Sequence, residues 1–126
     1  MSLQPKVFLN SCLNLFTFRM TKECVQHNNT AQIFKLLNVL RTEFCVSQNP
    51  NMRKGGLIGL AAMAIGMGTS SASYTQELVD PVLGCMEDSD SRVRFYACES
   101  LYNVTKGSSY FNNRPIRLKY LIHFNL

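Results

Sequence analysis

The sequence predicts an all-α chain, a fragment of an α-solenoid built from about two helical hairpins. Two observations carry that reading. Arg94, Ala97, Leu101 and Val104, preceded by Val93, repeat after 41 residues the offsets of Arg53, Gly56, Leu60 and Met63, preceded by Met52. A small residue at +3 with large apolar residues at +7 and +10 forms one face of an amphipathic helix. Each such segment also follows another apolar segment and a polar turn. Ile33, Leu36, Leu37, Leu40 and Phe44 precede SQNPN; Leu78, Val79, Val82, Leu83 and Met86 precede EDSDS. The pattern is helix, turn, helix, with a period in the HEAT and armadillo range.

Residues 1–22 form an atypical N-terminal flank, either disordered or a partial helix. Its apolar residues are broken by Asn10, Ser11 and Asn14, and it has no clear cleavage site, which argues against a signal peptide. Residues 23–106 make up the repeat fragment. In its first hairpin, Pro50 and the flanking asparagines break the chain before Met52. The second helix opens on RKGGLIGLAAMAIGMG, with five glycines between residues 55 and 68. Each glycine inside a helix costs about 1 kcal/mol relative to alanine, so close approach of a neighbouring helix is the expected compensation. A phosphate-binding loop fits poorly, because Lys54 precedes the glycines instead of following them. The apolar run over residues 55–68 is also shorter than the ~18 residues of a membrane span.

In the second hairpin, Pro81 either kinks a helix running from about Tyr74 or starts a shorter one after Asp80. Asp90 or Ser91 caps the last helix, where Asp88 and Asp90 also suit its positive end. Lys106 and Gly107 suit its stop. Residues 107–126 are an atypical basic tail. Ile116, Leu118, Tyr120, Ile122 and Phe124 alternate there at strand period, although Leu118, Leu121 and Ile122 also permit a short helix.

The net charge of +5 sits on these flanks. Residues 23–105 hold all eight acids against six bases, while residues 1–22 and 106–126 hold bases alone. The basicity is therefore read as solvated flanks, with no nucleic-acid partner. RNA or membrane binding through the tails is the competing reading, and would weaken steeply with salt. The five cysteines form no C-x-x-C pair and the histidines, His27 and His123, lie at opposite ends, so neither a metal nor a cofactor is expected. Buried, reduced thiols in a cytosolic chain are the default. A calcium loop starting at Asp88 places Asp90 and Glu99 suitably, but Arg92 and Val93 occupy a ligand and the glycine position. Cys24 and His27, three residues apart, offer a nucleophile and base without an orienting third group. No catalytic residue is assigned.

The stretches HNNTAQI, QNPNMRKGGLIGLAA and DSDSRVRFYACESLYNV resemble the N-terminal HEAT repeats of the vacuole-morphology scaffold family. That family organises the phosphatidylinositol 3-phosphate 5-kinase complex. The likeness runs over about residues 24–106. The resemblance implies a non-enzymatic scaffold that joins the lipid kinase and an associated lipid phosphatase, controlling phosphatidylinositol 3,5-bisphosphate at endosomal or vacuolar membranes. It also implies cytoplasmic location with indirect, peripheral membrane association. A generic solenoid adaptor or a non-functional truncated product is the alternative, since family members are several times longer and both ends here leave the repeat pattern. Two repeats with atypical ends are expected to be marginally stable. Lys54, Phe95, Glu99 and Asn103 point away from the repeated apolar face and are the candidate protein-binding positions. Arg53 and Arg94 are read as structural, each suited to pair with a turn acid or a neighbouring repeat.

Overall fold

Asn49 and Asp90, 41 residues apart, begin two helices in the same way. The Asn49 side chain accepts from the Asn51 amide at 2.9 Å, and that of Asp90 accepts from the Arg92 amide at 2.8 Å. Their carbonyls accept from the Arg53 and Arg94 amides, both at 3.1 Å. These side chains satisfy amides that the first helical turn leaves without partners.

The computed structural model describes residues 12–106 and is all-α over that range, consistent with a fragment of a solenoid. Helix α1 covers Cys12–Gln26, and α2 covers Thr30–Val39, continuing as a π-helical segment, Leu40–Phe44. Helix α3 covers Pro50–Met67 and α4 Thr75–Gly84, joined by a 3-10 segment, Gly68–Tyr74. Helix α5 covers Ser91–Lys106. The first hairpin is α2 and α3, the second α4 and α5. Residues 1–11 and the tail 107–126, including the Gly107 stop and the alternating segment, lie outside the described residues.

Helix α3 is the central layer, packed mainly against α5 on one side and α1 on the other. Contact on both sides explains its weak amphipathicity and its glycines. A Cβ on Gly56 would stand 2.7 Å from Cys45 Sγ and 2.8 Å from Phe44 Cβ. One on Gly59 would meet Leu40 at 2.9 Å, and one on Gly66 the Phe18 carbonyl at 3.0 Å. Close helix approach is thus the compensation in the structure. The π-helical turn, closed by the Cys45 amide on the Leu40 carbonyl at 2.9 Å, brings Phe44 and Cys45 onto Gly56. One core cluster joins Leu37, Leu57, Leu60, Met63, Leu78, Val82, Val93 and Val104 across both hairpins.

Three details refine the sequence expectation. The helical run Pro50–Gly84, 35 residues, is long and apolar enough to cross a membrane, because the 3-10 segment continues what looked like a short stretch. Yet 61% of its apolar window is buried inside the protein. Pro81 lies inside α4, which starts at Thr75, so the first of its two expected placements holds, and Pro50 opens α3 as its first residue. The boundary placed between residues 22 and 23 falls within α1, whose buried positions include Asn14, Thr17, Thr21 and Cys24. The spacing is helical but three of the four are polar, so an apolar pattern does not reveal it. Thr21 satisfies its hydroxyl locally, donating to the Thr17 carbonyl at 2.8 Å.

Candidate protein-binding surface

The two arginines at the helix starts organise the edge of this surface. Arg53 Nη1 donates to the carbonyls of Ser47 (2.8 Å) and Gln48 (3.1 Å). Arg94 Nη1 donates to those of Asp88 (2.6 Å) and Ser89 (3.3 Å), the same two positions one repeat later. Arg53 additionally grips the Asp88 carboxylate through both oxygens, at 2.7 and 2.9 Å, linking the turn of one hairpin to that of the next. The Arg53 and Asp88 side chains are only 15% and 11% exposed. The Arg53 hydrogen bond holds the Asp88 carboxyl below its ordinary value, against the opposing effect of burial. Asp88 also accepts from the Asp90 amide at 2.9 Å, so the acids of EDSDS serve as ion-pair partner and helix cap.

Of the candidate positions, Phe95 is 57% exposed, and its ring meets Tyr96 edge-on with centroids 5.5 Å apart. Lys54, which occupies the matching position one repeat earlier, is half-buried. Glu99 and Asn103 are not on the outer surface: both are buried, at 6% and 3% exposure. Their matching positions are Ile58 and the fully buried Ala62. The expectation assumed one buried stripe, whereas α5 is covered on a wider arc that includes Glu99, Ser100, Asn103 and Val104. Ser100 donates to the Leu57 carbonyl of α3 at 2.8 Å, and Asn103 Nδ2 to the Glu99 carbonyl at 2.9 Å. Burial pushes the Glu99 carboxyl up from its ordinary value.

The exposed face of α5 is instead Arg92, Phe95, Cys98 and Tyr102. Tyr102 was legible as the position seven residues after Phe95 on the same helix face. Aromatic and arginine side chains raised together on one helix suit a protein contact, where such residues carry much of the binding energy. Among the other sequence-derived positions, Gly56, Leu60, Met63, Ala97 and Val104 are buried, Leu101 is half-buried and Arg94 is exposed. His27 Nδ1 donates to the Glu23 carbonyl at 2.9 Å, beside the buried Cys24 in an open cavity of about 260 Å³. Among the described residues no group of three or more histidine, cysteine or acidic side chains is arranged to hold a metal ion.

Residues 51–114 match the family model described as the Vacuolar 14 Fab1-binding region. The chain is 41% identical over 106 residues to the Protein VAC14 homolog of Arabidopsis thaliana, covering 84% of this chain and 13% of that protein. It is 43% identical over 90 residues to the Protein VAC14 homolog of Schizosaccharomyces pombe, covering 70% of this chain and 11% of the relative. Identity is 39% over 90 residues with Vacuole morphology and inheritance protein 14 of Saccharomyces cerevisiae, covering 70% and 10%. The chain therefore spans about a tenth of the length of these curated relatives. No solved structure matches it. The family match reaches past Lys106 to residue 114, beyond the limit expected from the motifs.

Proposed function

The chain belongs to the VAC14 family, and from that premise we propose that it is a non-enzymatic HEAT-repeat scaffold segment that binds the Fab1-type lipid kinase. The observation that carries this reading is the match of the Fab1-binding region to residues 51–114, which cover α3 from its second residue together with α4 and α5. In this reading the partner meets the outer face of α5 through Phe95, with Arg92 and Tyr102 beside it and Lys54 at the matching position of α3. The kinase is the phosphatidylinositol 3-phosphate 5-kinase, and the larger assembly includes a lipid phosphatase. The scaffold thereby supports control of phosphatidylinositol 3,5-bisphosphate at vacuolar or endosomal membranes, which it reaches through its partners.

The test is a binding assay between the purified 126-residue chain and the purified kinase, with Phe95→Glu and Lys54→Glu variants alongside. Phe95→Glu should weaken binding at least tenfold without lowering the unfolding midpoint, because the side chain is largely exposed. Lys54→Glu should have a smaller effect. Wild-type chain that fails to bind the kinase would refute the partner. Undiminished binding by Phe95→Glu would remove the α5 face from the contact.

A further inference from the structure

Cys45 and Cys85 end the first helical stretch of each hairpin: Cys45 follows the π-helical segment and Cys85 follows α4. Distant in sequence, they meet where the two hairpins stack. Cys85 Sγ donates to the Cys45 carbonyl at 3.7 Å, and the two thiols are close enough to shift one another's titration. Cys45 is held in place from behind, since its sulfur lies 2.7 Å from where a Cβ on Gly56 would stand. Both side chains are buried, at 5% and 3% exposure, yet both line a cavity of about 360 Å³ open to solvent. Arg41 and Asp80 stand at the same cavity.

We propose that Cys45 and Cys85 are a redox pair, oxidised by a small carboxylate-bearing disulfide that enters this cavity and converts them to a disulfide joining adjacent hairpins. Arg41 supplies a cation for the carboxylate of the incoming molecule. The two sulfurs have different roles. Its interaction with Cys45 lowers Cys85; burial and the Asp88 carboxylate oppose that, and the Arg53 guanidinium adds to it. The interaction with Cys85 and burial raise Cys45. With the Cys45 sulfur packed against Gly56 at its back, Cys85 is the sulfur left to attack, in the direction these shifts also favour. It bonds to one sulfur of the small disulfide and expels the other as a thiolate, giving a mixed disulfide on Cys85. Cys45 then loses its proton to the expelled thiolate and attacks the Cys85 sulfur, releasing the second small thiol. Two protein thiols are oxidised and one small disulfide is reduced to two thiols.

The test equilibrates the full chain with glutathione disulfide, traps free thiols by alkylation and maps the peptides by mass spectrometry. The expected product is one cross-linked peptide pair, Cys45 with Cys85, with Cys24 left alkylated. Its formation should raise the unfolding midpoint, and dithiothreitol should reverse both changes. The same treatment in denaturant should scatter the pairing among all the cysteines. Glutathione found on exposed Cys98 alone, with Cys45 and Cys85 both alkylated, would overturn the proposal. So would a Cys85–glutathione adduct that never resolves onto Cys45, or the same scattered pairing in native and denatured protein.

Discussion

Arg53 and Arg94 repeat one another in sequence but not in what they hold. Both tie down two carbonyls of the preceding turn, while Arg53 alone adds a two-oxygen grip on the Asp88 carboxylate. Removing one partner of a mostly buried pair leaves the other charge uncompensated, which typically costs more than the pair itself contributes. Arg53→Ala should therefore lower stability in urea unfolding by clearly more than Arg94→Ala, which should cost about 1 kcal/mol or less. Equal losses would contradict the distinction. Asp88 is depressed in the folded state, so its contribution is fully present above the ordinary carboxylate range and is lost as pH falls through the folded value. Arg53→Ala should flatten that acid-side loss. Glu99 behaves oppositely: its carboxyl is raised by burial, so its destabilising effect is absent in acid and grows as pH rises through the raised value. Glu99→Gln should gain about 1 kcal/mol at neutral pH and nothing in acid, since the Asn103 bond goes to the Glu99 backbone. A neutral-pH loss on this substitution would show that the carboxylate has a favourable partner.

At the scale of elements, neighbouring glycines in α3 have opposite expected behaviour. Gly55 has only Phe44 Cδ2 within reach, at 3.8 Å, while Gly56 faces Cys45 and Phe44 at 3.0 Å or less, including the Cys45 backbone nitrogen. Gly55→Ala should stabilise by up to about 1 kcal/mol through helix propensity. Gly56→Ala should destabilise by about 1–3 kcal/mol, because overpacking against backbone exceeds the propensity gain. Thermal melts of the two variants check the sign directly. The glycine run was legible as a site of close packing because glycine has an intrinsic helical cost. Which glycine touches which neighbour was not, since that depends on the π-helical turn at Leu40–Phe44, which shifts Phe44 and Cys45 out of ordinary helical register. The caps were legible for a similar local reason: Asn49 and Asp90 act on amides within three residues. Glu99 was not, because one apolar stripe does not reveal a helix buried along a wider arc.

At the scale of the whole molecule, α1, α3 and α5 form successive layers, and the central one is covered from both sides. The 41-residue period made two of those layers legible. It missed the third because the buried face of α1 is Asn14, Thr17 and Thr21 instead of leucines, while Leu15 and Phe16 are 40% and 60% exposed. This changes the stability argument. Two hairpins with unstructured ends would leave one side of α3 in water, where Gly66 and Met67 give a small, apolar strip with little to hold it. With α1 in place, Met67 is 4% exposed and the space beside Gly66 is filled by Phe18 and Thr21. A chain starting at Glu23 lacks most of that cover. Its loss should be about 2 kcal/mol or more, on the order of 10 °C in unfolding midpoint for a body of this size. Circular dichroism melts should show a single transition for the full chain, because one core cluster spans both hairpins. The shortened chain should melt earlier and less steeply. Superimposable melts would mean that α1 rests on α3 without supporting it, and that the repeat unit is complete from Glu23 onward.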